Sequence, residues 1–550
     1  MDSRYGRAWA AALLLLGAGS CRTAPSTRGI GRYAILPFEN LTGDSGFDWL
    51  GATASAAVVN QLIPARQATA LATPSLREAF QTRPSRLVLG YVDRTAAGLR
   101  LRAVIEDAGT HQAVAEFTVA RPPEKFLEAI DALARQLSPE ARAPLTTSWN
   151  AFAAFGRGQR AGSPEDRERA FEEAIAADAN YALPYLALAE LKLAGRNGEA
   201  ARGVLERLTA RKPAPFEAAQ AKTALAAIAQ DGAARVEALK DLAAASPANA
   251  ALQFQAGAAL VTAKRFREGA TVIERGLAAD PDNGEMWNQL GYAKAYQRDL
   301  AGARAALGKY AQLAPGPNNI DSLAEVHYLA GEFGEAKRLF LENHQKTPQF
   351  MGDIALLKAA YSAFRHEGAK AADPLFAEYV KKLRGGPLDA ARHALEIDWL
   401  AATGRRAEAV AKARAAGTDP NPAVQAIASV HLCGYQLTGG ERAAALESAK
   451  AALKVTPNNL AAVLCFFAAQ PAAAEPEWMV RADRLFGDPR AAAIRKQALA
   501  YAFLFDAKPA AAEVLLRDLY AQAGPEAEGE WRVALASALV AQNKNDEARA

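Results

Sequence analysis

The side chains able to do chemistry in this sequence are few and scattered. The six histidines, His111, His327, His344, His366, His393 and His431, form no HExxH, no Cys/His zinc spacing and no helical i, i+4 pair. No G-x-S-x-G nucleophile elbow occurs, and Ser, His and Asp are not spaced as a triad. Asp44 and Asp48 would be a metal pair only with further ligands beside them; loop and cap roles account for both, Asp48 as the N-cap of the helix that follows. Gly43-Asp44-Ser45-Gly46 lacks the Lys and the strand-to-helix setting of a phosphate loop. Three cysteines, Cys21, Cys433 and Cys465, make no disulfide framework. Cys433 and Cys465 fall in adjacent helical hairpins and are expected as small buried apolar residues. A bridge between them stays open in an oxidising compartment, although helix axes about 8–10 Å apart rarely bring Cα atoms close enough. No catalytic residue, no metal site and no cofactor is expected. A formal charge of +4 over 550 residues is close to neutral and does not indicate a nucleic-acid footprint.

The spacing that does recur is structural. Pro213, Pro247, Pro281 and Pro315 are 34 residues apart each time, and Gly257 and Gly291 repeat at the same step. Proline cannot continue a helix, so each closes one helix pair or opens the next. A period of this length predicts stacked helical hairpins, because one hairpin cannot bury its apolar face alone. Abundant Ala within a 51% apolar composition suits close helix packing. At 550 residues the chain exceeds one ordinary core, and a repeat array takes up that length.

The residues of one unit carry a resemblance. Trp287, Leu290, Gly291, Ala303, Leu307 and Pro315 fall where the tetratricopeptide repeat (TPR) family places Trp, Leu, Gly, Ala, a large apolar residue and the closing Pro. The clearest units cover 182–348, running Ala182 to Pro213, Ala214 to Pro247, Ala248 to Pro281, Asp282 to Pro315 and Gly316 to Pro348. The array as a whole is expected over 147–550, with Trp149, Phe152 and Phe155 opening an N-terminal capping helix. After Pro348 the register loosens, though helices remain evident at Ile354 to Phe364, Pro374 to Leu383, Leu388 to Ala402 and Ala407 to Ala415. The resemblance implies a binding face built from the first helix of each unit. Its positions fall on Phe254, Asn288, Tyr292 and Tyr296. Aromatics are the usual anchors of such faces, although each also suits packing within the array. The paired Lys and Asn of chaperone-binding repeats are not seen.

At the N-terminus, Arg4 and Arg7 precede a short apolar run from Ala8 to Leu16, too short to span a bilayer and typical of a secretory signal. Gly17-Ala18-Gly19-Ser20-Cys21 resembles a bacterial lipoprotein cleavage box. That resemblance implies a signal over 1–20, lipidation of Cys21 and, with Arg22 rather than Asp next, an outer-membrane anchor. Residues 21–31 are expected as a tether.

Residues 32–138 read as a small α/β domain. Tyr33 to Phe38 is an apolar strand, and Asp48 to Leu62 an amphipathic helix. Leu87 to Val92, Leu99 to Ile105 and Ala113 to Val119 form an antiparallel meander turned at Ala97-Gly98 and Gly109-Thr110. Glu124 to Leu137 closes the domain with Phe126, Leu127, Ile130, Leu133 and Leu137 on one face. Ala34-Ile35-Leu36-Pro37-Phe38-Glu39-Asn40-Leu41-Thr42-Gly43-Asp44, then Phe47-Asp48-Trp49-Leu50-Gly51, resembles the opening of the TolB amino-terminal-like domain. Residues 139–146, with Pro139 and Pro144 at or near their ends, are expected to be a linker.

The expected fold is therefore mainly α, a TPR-type α-α superhelix (solenoid) preceded by a small TolB-N-like α/β domain. The resemblances imply a non-enzymatic cell-envelope scaffold whose partners are other proteins and, through Cys21, the membrane. No nucleic acid and no small-molecule substrate is expected. The alternative they imply is a sensory or regulatory accessory subunit, with the α/β domain binding a ligand or partner.

Overall fold

A computed structural model describes residues 30–385, 388–457, 459–469, 496–497, 500–501, 503–504, 507–523 and 529–549. Cys21, the signal and most of the expected tether lie outside them. The chain forms two compact units, 1–293 and 294–550, with the division inside one helix.

The first unit opens with a mixed sheet of strands β1 (Gly31–Ile35), β2 (Glu39–Asn40), β3 (Ala68–Ala72), β4 (Arg86–Thr95), β5 (Gly98–Asp107) and β6 (Ala113–Arg121). Their order is β3-β1-β4-β5-β6, with β2 pairing β4. The expected meander is β4-β5-β6, antiparallel throughout. Gly98, at φ +112, makes the first turn, where a Cβ would meet the Arg121 carbonyl. β3 was not legible: Ala-Thr-Ala-Leu-Ala has little apolar contrast, and only its parallel pairing with β1 makes it a strand. Helices α1 (Leu50–Leu62) and α3 (Phe126–Leu137) cover one sheet face, and the short α2 (Leu76–Gln81) part of the other. Phe126, Leu127, Ile130, Leu133 and Leu137 of α3 are all buried, as their 3.6-residue spacing predicts. Asp48 does not cap α1. Trp49 occupies that position without a side-chain bond, and Asp48 instead accepts from Asn40 Nδ2 at 2.7 Å. Asp44 caps the 3-10 turn Ser45–Phe47 through Gly46 N at 2.8 Å.

The array follows as helix pairs, α4 (Trp149–Arg160) with α5 (Pro164–Ala177), α6 (Ala182–Ala194) with α7 (Gly198–Ala210), α8 (Pro215–Ile228) with α9 (Gly232–Ala245), and α10 (Ala250–Thr262) with α11 (Phe266–Ala279). α12 (Gly284–Tyr296) leads into the second unit. There, α13 (Leu300–Leu313), α14 (Pro317–Leu329), α15 (Phe333–Lys346), α16 (Ile354–Glu367), α17 (Ala369–Leu383), α18 (Asp389–Ala402), α19 (Arg406–Ala416), α20 (Pro422–Thr438), α21 (Arg442–Val455) and α22 (Leu460–Ala469) continue the alternation. Further on come α23 (Pro509–Ala523), α24 (Gly529–Val540) and α25 (Asn545–Arg549). The fold is thus mainly α, a solenoid of helix pairs behind a small α/β domain, and every unit boundary read from proline falls between helices.

The turn inside each pair has its own period. Arg196, Gln230, Lys264 and Arg298 all adopt left-handed φ between +55 and +65, and each immediately precedes the second helix's cap position. Asn197, Asp231 and Asp299 then accept the backbone N–H three residues on. Gly331, Gly404 and Gly440 take over the same left-handed role in the second unit. Between pairs, side chains of the first helix reach back to the preceding turn: Gln253 Nε2 donates to the Ala243 and Ser246 carbonyls, and Trp287 Nε1 donates to that of Pro281. Trp287 is half-buried, and its neighbour Met286 is the side chain fully inside.

Pro348 ends the regular register for a visible reason. Met351, Gly352 and Asp353 are left-handed in succession, an arrangement disfavoured for L-residues. Asp353 holds it, buried and accepting from His344 Nδ1 at 2.7 Å, with Lys382 as a second partner.

Candidate binding face and the strap beside it

Phe254 lies on α10 and Asn288 on α12, one 34-residue period apart, so they are equivalent positions of successive first helices. Phe254 and Tyr292 are partly exposed. Asn288 differs. It is only 6% exposed, and its Oδ1 has no hydrogen-bond partner, so it belongs to the array interior rather than to an open surface. Tyr296, on the second unit's side of the division, is half exposed. The period finds equivalent positions but not their depth, which is set by the neighbouring helices.

Residues 139–146, expected as a linker, are packed instead. The segment between α3 and α4 has neither helix nor strand, yet Ala141 and Thr146 are buried. Arg142 N donates to the Gln61 carbonyl at 2.9 Å, and Thr146 Oγ1 donates to Asp178 at 2.6 Å. The Arg142 guanidinium makes a bidentate pair with Glu217 of α8, Nη1 to Oε2 at 2.9 Å and Nη2 to Oε1 at 2.5 Å. Its Nε and Nη2 also reach the Asn60 carbonyl and Oδ1, at 3.0 and 2.8 Å. The Glu217 side chain is wholly buried, and that of Arg142 is 16% exposed. Such a pair is tolerated inside because both groups are fully hydrogen-bonded.

The same region joins the α/β domain to the array. Phe152 and Ala153 of α4 belong to the α/β core, and Trp49 meets Trp149 and Phe152 at ring-centre distances of 5.5 and 5.8 Å. A Cβ on Gly156 would strike the Trp49 ring, so only glycine lets α4 lie this close. Arg160 Nη1 donates to the Asp48 carbonyl at 2.8 Å. Trp149 and Phe152, expected to open the array, are equally part of the α/β domain's core. Capping is therefore done by that domain, whose apolar face closes the first helix pair.

The histidines lie in separate surroundings. His327 meets Glu332, His344 meets Asp353, His431 meets Asp398, and His111 packs on Phe80. Cys433 and Cys465 correct the expectation of free buried thiols: they are joined as a disulfide, with Cα atoms 6.4 Å apart. They sit on α20 and α22, which start successive helix pairs and pack side by side. That brings two residues 32 apart in sequence, on neighbouring first helices, within bridging range.

No family model matches the sequence. No curated protein matches it either. Among solved structures, the chain is similar to YrrB, described as a TPR protein with an unusual peptide-binding site, at 16% identity over 34% of this chain and 97% of that one, TM-score 0.31. It is similar to PilW, described as a widely conserved type IV pilus biogenesis factor, at 20% identity over 38% of this chain and 95% of that one, TM-score 0.30. A tetratricopeptide repeat protein from Parabacteroides merdae matches at 16% identity over 46% of this chain and 97% of that one, TM-score 0.32.

Proposed function

We propose that this chain is a cell-envelope lipoprotein, anchored through Cys21, that holds other proteins on the first-helix face of its helix-pair array and does not transform them. The observation that carries the binding reading is the pair of partly exposed aromatics, Phe254 and Tyr292, on consecutive first helices of the first unit. Aromatic side chains left on a regular apolar framework are the usual anchors of protein contacts. The envelope reading is supported by the N-terminal sequence, and the Cys433–Cys465 disulfide suits an oxidising compartment.

A photo-crosslinking side chain placed at Tyr292 in the full-length protein, in its own cells, tests the binding reading. Discrete adducts that fade when Phe254→Ala is added support it. Adducts absent, or unaffected by Phe254→Ala, overturn it. Fractionation tests the anchor: Cys21→Ser is expected to move the protein out of the membrane fraction, and unchanged attachment removes the lipoprotein reading.

A further inference from the structure

We infer that residues 138–147 are a built-in ligand of the array's first-helix face, seated by an arginine subsite around Glu217. The inference rests on the binding reading above and names the chemistry that one part of the face accepts.

Three observations converge. Gln220 is the counterpart of Phe254 one 34-residue period earlier, and Glu217 lies one helical turn before it on α8. The Arg142–Glu217 contact therefore falls on the helix face that carries Phe254 and Tyr292 further along. Second, the segment lacks helix and strand: after a turn closed by Ala141 N donating to the Ser138 carbonyl at 3.1 Å it continues without regular structure, leaving its side chains to make the contacts as those of a bound peptide do. Arg142 enters the subsite, while Leu145 and Thr146 line a small cavity with Tyr181 and with Leu183 of α6. Third, the subsite is built for a guanidinium. Glu217 presents both oxygens, and Asn60 offers its carbonyl and Oδ1, so four acceptors converge on the planar fork of Arg142. A lysine would fill only one point of this arrangement.

The α6–α8 end of the face is thus occupied in cis. A partner reaching it must displace residues 138–147 with a segment of the same chemistry, an arginine followed at three residues by an aliphatic side chain. Partners lacking that pattern are confined to the face beyond α8. The segment both caps the array and sets an entry requirement.

The test uses the full-length protein and a fluorescent synthetic decapeptide of the sequence Ser138 to Thr147. Wild type, with its subsite filled, is expected to bind the peptide at least tenfold more weakly than Arg142→Ala. Binding to Arg142→Ala is expected to vanish when the peptide carries Ala for its Arg, or when Glu217→Gln is added. A folded Arg142→Ala that ignores the peptide, or takes both peptides equally, overturns the inference. Should Arg142→Ala not fold alone, refolding with the arginine peptide is expected to restore a cooperative thermal transition, and failure to do so overturns it equally. The Tyr292 crosslinks are read in wild type, so their loss and the loss of peptide binding are separate results.

Discussion

Gly257 of α10 and Gly269 of α11 face each other inside one helix pair. A Cβ built on Gly257 would stand 3.3 Å from the Gly269 carbonyl oxygen, and one on Gly269 would stand 3.1 Å from that of Gly257. The two backbones are in near contact. One period on, the same two positions hold Gly291 and Ala303.

Gly269→Ala is therefore expected to destabilise the first unit. The new methyl would also meet Val261 Cγ2 at 2.8 Å, and overpacking of this kind costs about 1–3 kcal/mol. The better helix propensity of Ala returns roughly 1 kcal/mol. A denaturant midpoint equal to or above that of wild type would show that the pair opens freely.

Gln230→Gly is expected to act in the opposite sense. Gln230 sits at φ +55 in an exposed turn, where glycine alone has no steric penalty. A gain of roughly 0.5–1 kcal/mol should appear in the unfolding midpoint, since left-handed backbone costs an L-residue about that much or more. Gly331, Gly404 and Gly440 already make this choice.

The Cys433–Cys465 bridge closes a loop with a sequence separation of 32 residues. Its removal by Cys433→Ser, or by reductant, is expected to cost about 3–4 kcal/mol on the chain-entropy account. Thiol labelling of the denatured, unreduced protein checks the premise. Labelling at both positions in protein taken from an oxidising compartment would remove the bridge from the account. A midpoint insensitive to reductant would remove its role in stability.

His431 supplies a pH dependence. Burial pulls its pKa down, but Asp398 at 3.0 Å from Nε2 and the Ile427 carbonyl at 2.8 Å from Nδ1 together hold it above the ordinary histidine value. With acceptors at both ring nitrogens, the charged imidazolium fits best. A raised folded pKa means the contribution is complete below the unfolded value near ~6.5 and is lost as pH rises through the folded value. The stability of wild type should fall over that window relative to His431→Gln, as followed by chemical denaturation at successive pH values. Parallel profiles would show that Asp398 does not hold the proton.

Parts of this fold were legible because they depend on neighbours in sequence. Pro213, Pro247, Pro281 and Pro315 mark boundaries wherever they stand, since a missing N–H ends a helix regardless of its surroundings. The face of α3 and the turns of β4-β5-β6 follow from periods of 3.6 and 2. β3 was not legible, because its run of three alanines, one threonine and one leucine becomes a strand only when β1 lies alongside. The left-handed residues at Arg196, Gln230, Lys264 and Arg298 carry a period in plain view, but three are long charged side chains that give no turn signal.

The site divides in the same way. By itself the sequence determined the helix pairs, their step and the positions equivalent to Phe254, because these rest on local conformational preference repeated along the chain. Only the tertiary structure decided that Asn288 is inside, that Cys433 meets Cys465, and that Arg142 leaves an expected linker to reach Glu217. Each of those outcomes joins residues far apart in the chain or sets how deeply one is buried. The physical reason is that packing between helices, unlike the conformation of any one of them, is settled only when all the neighbours are in place.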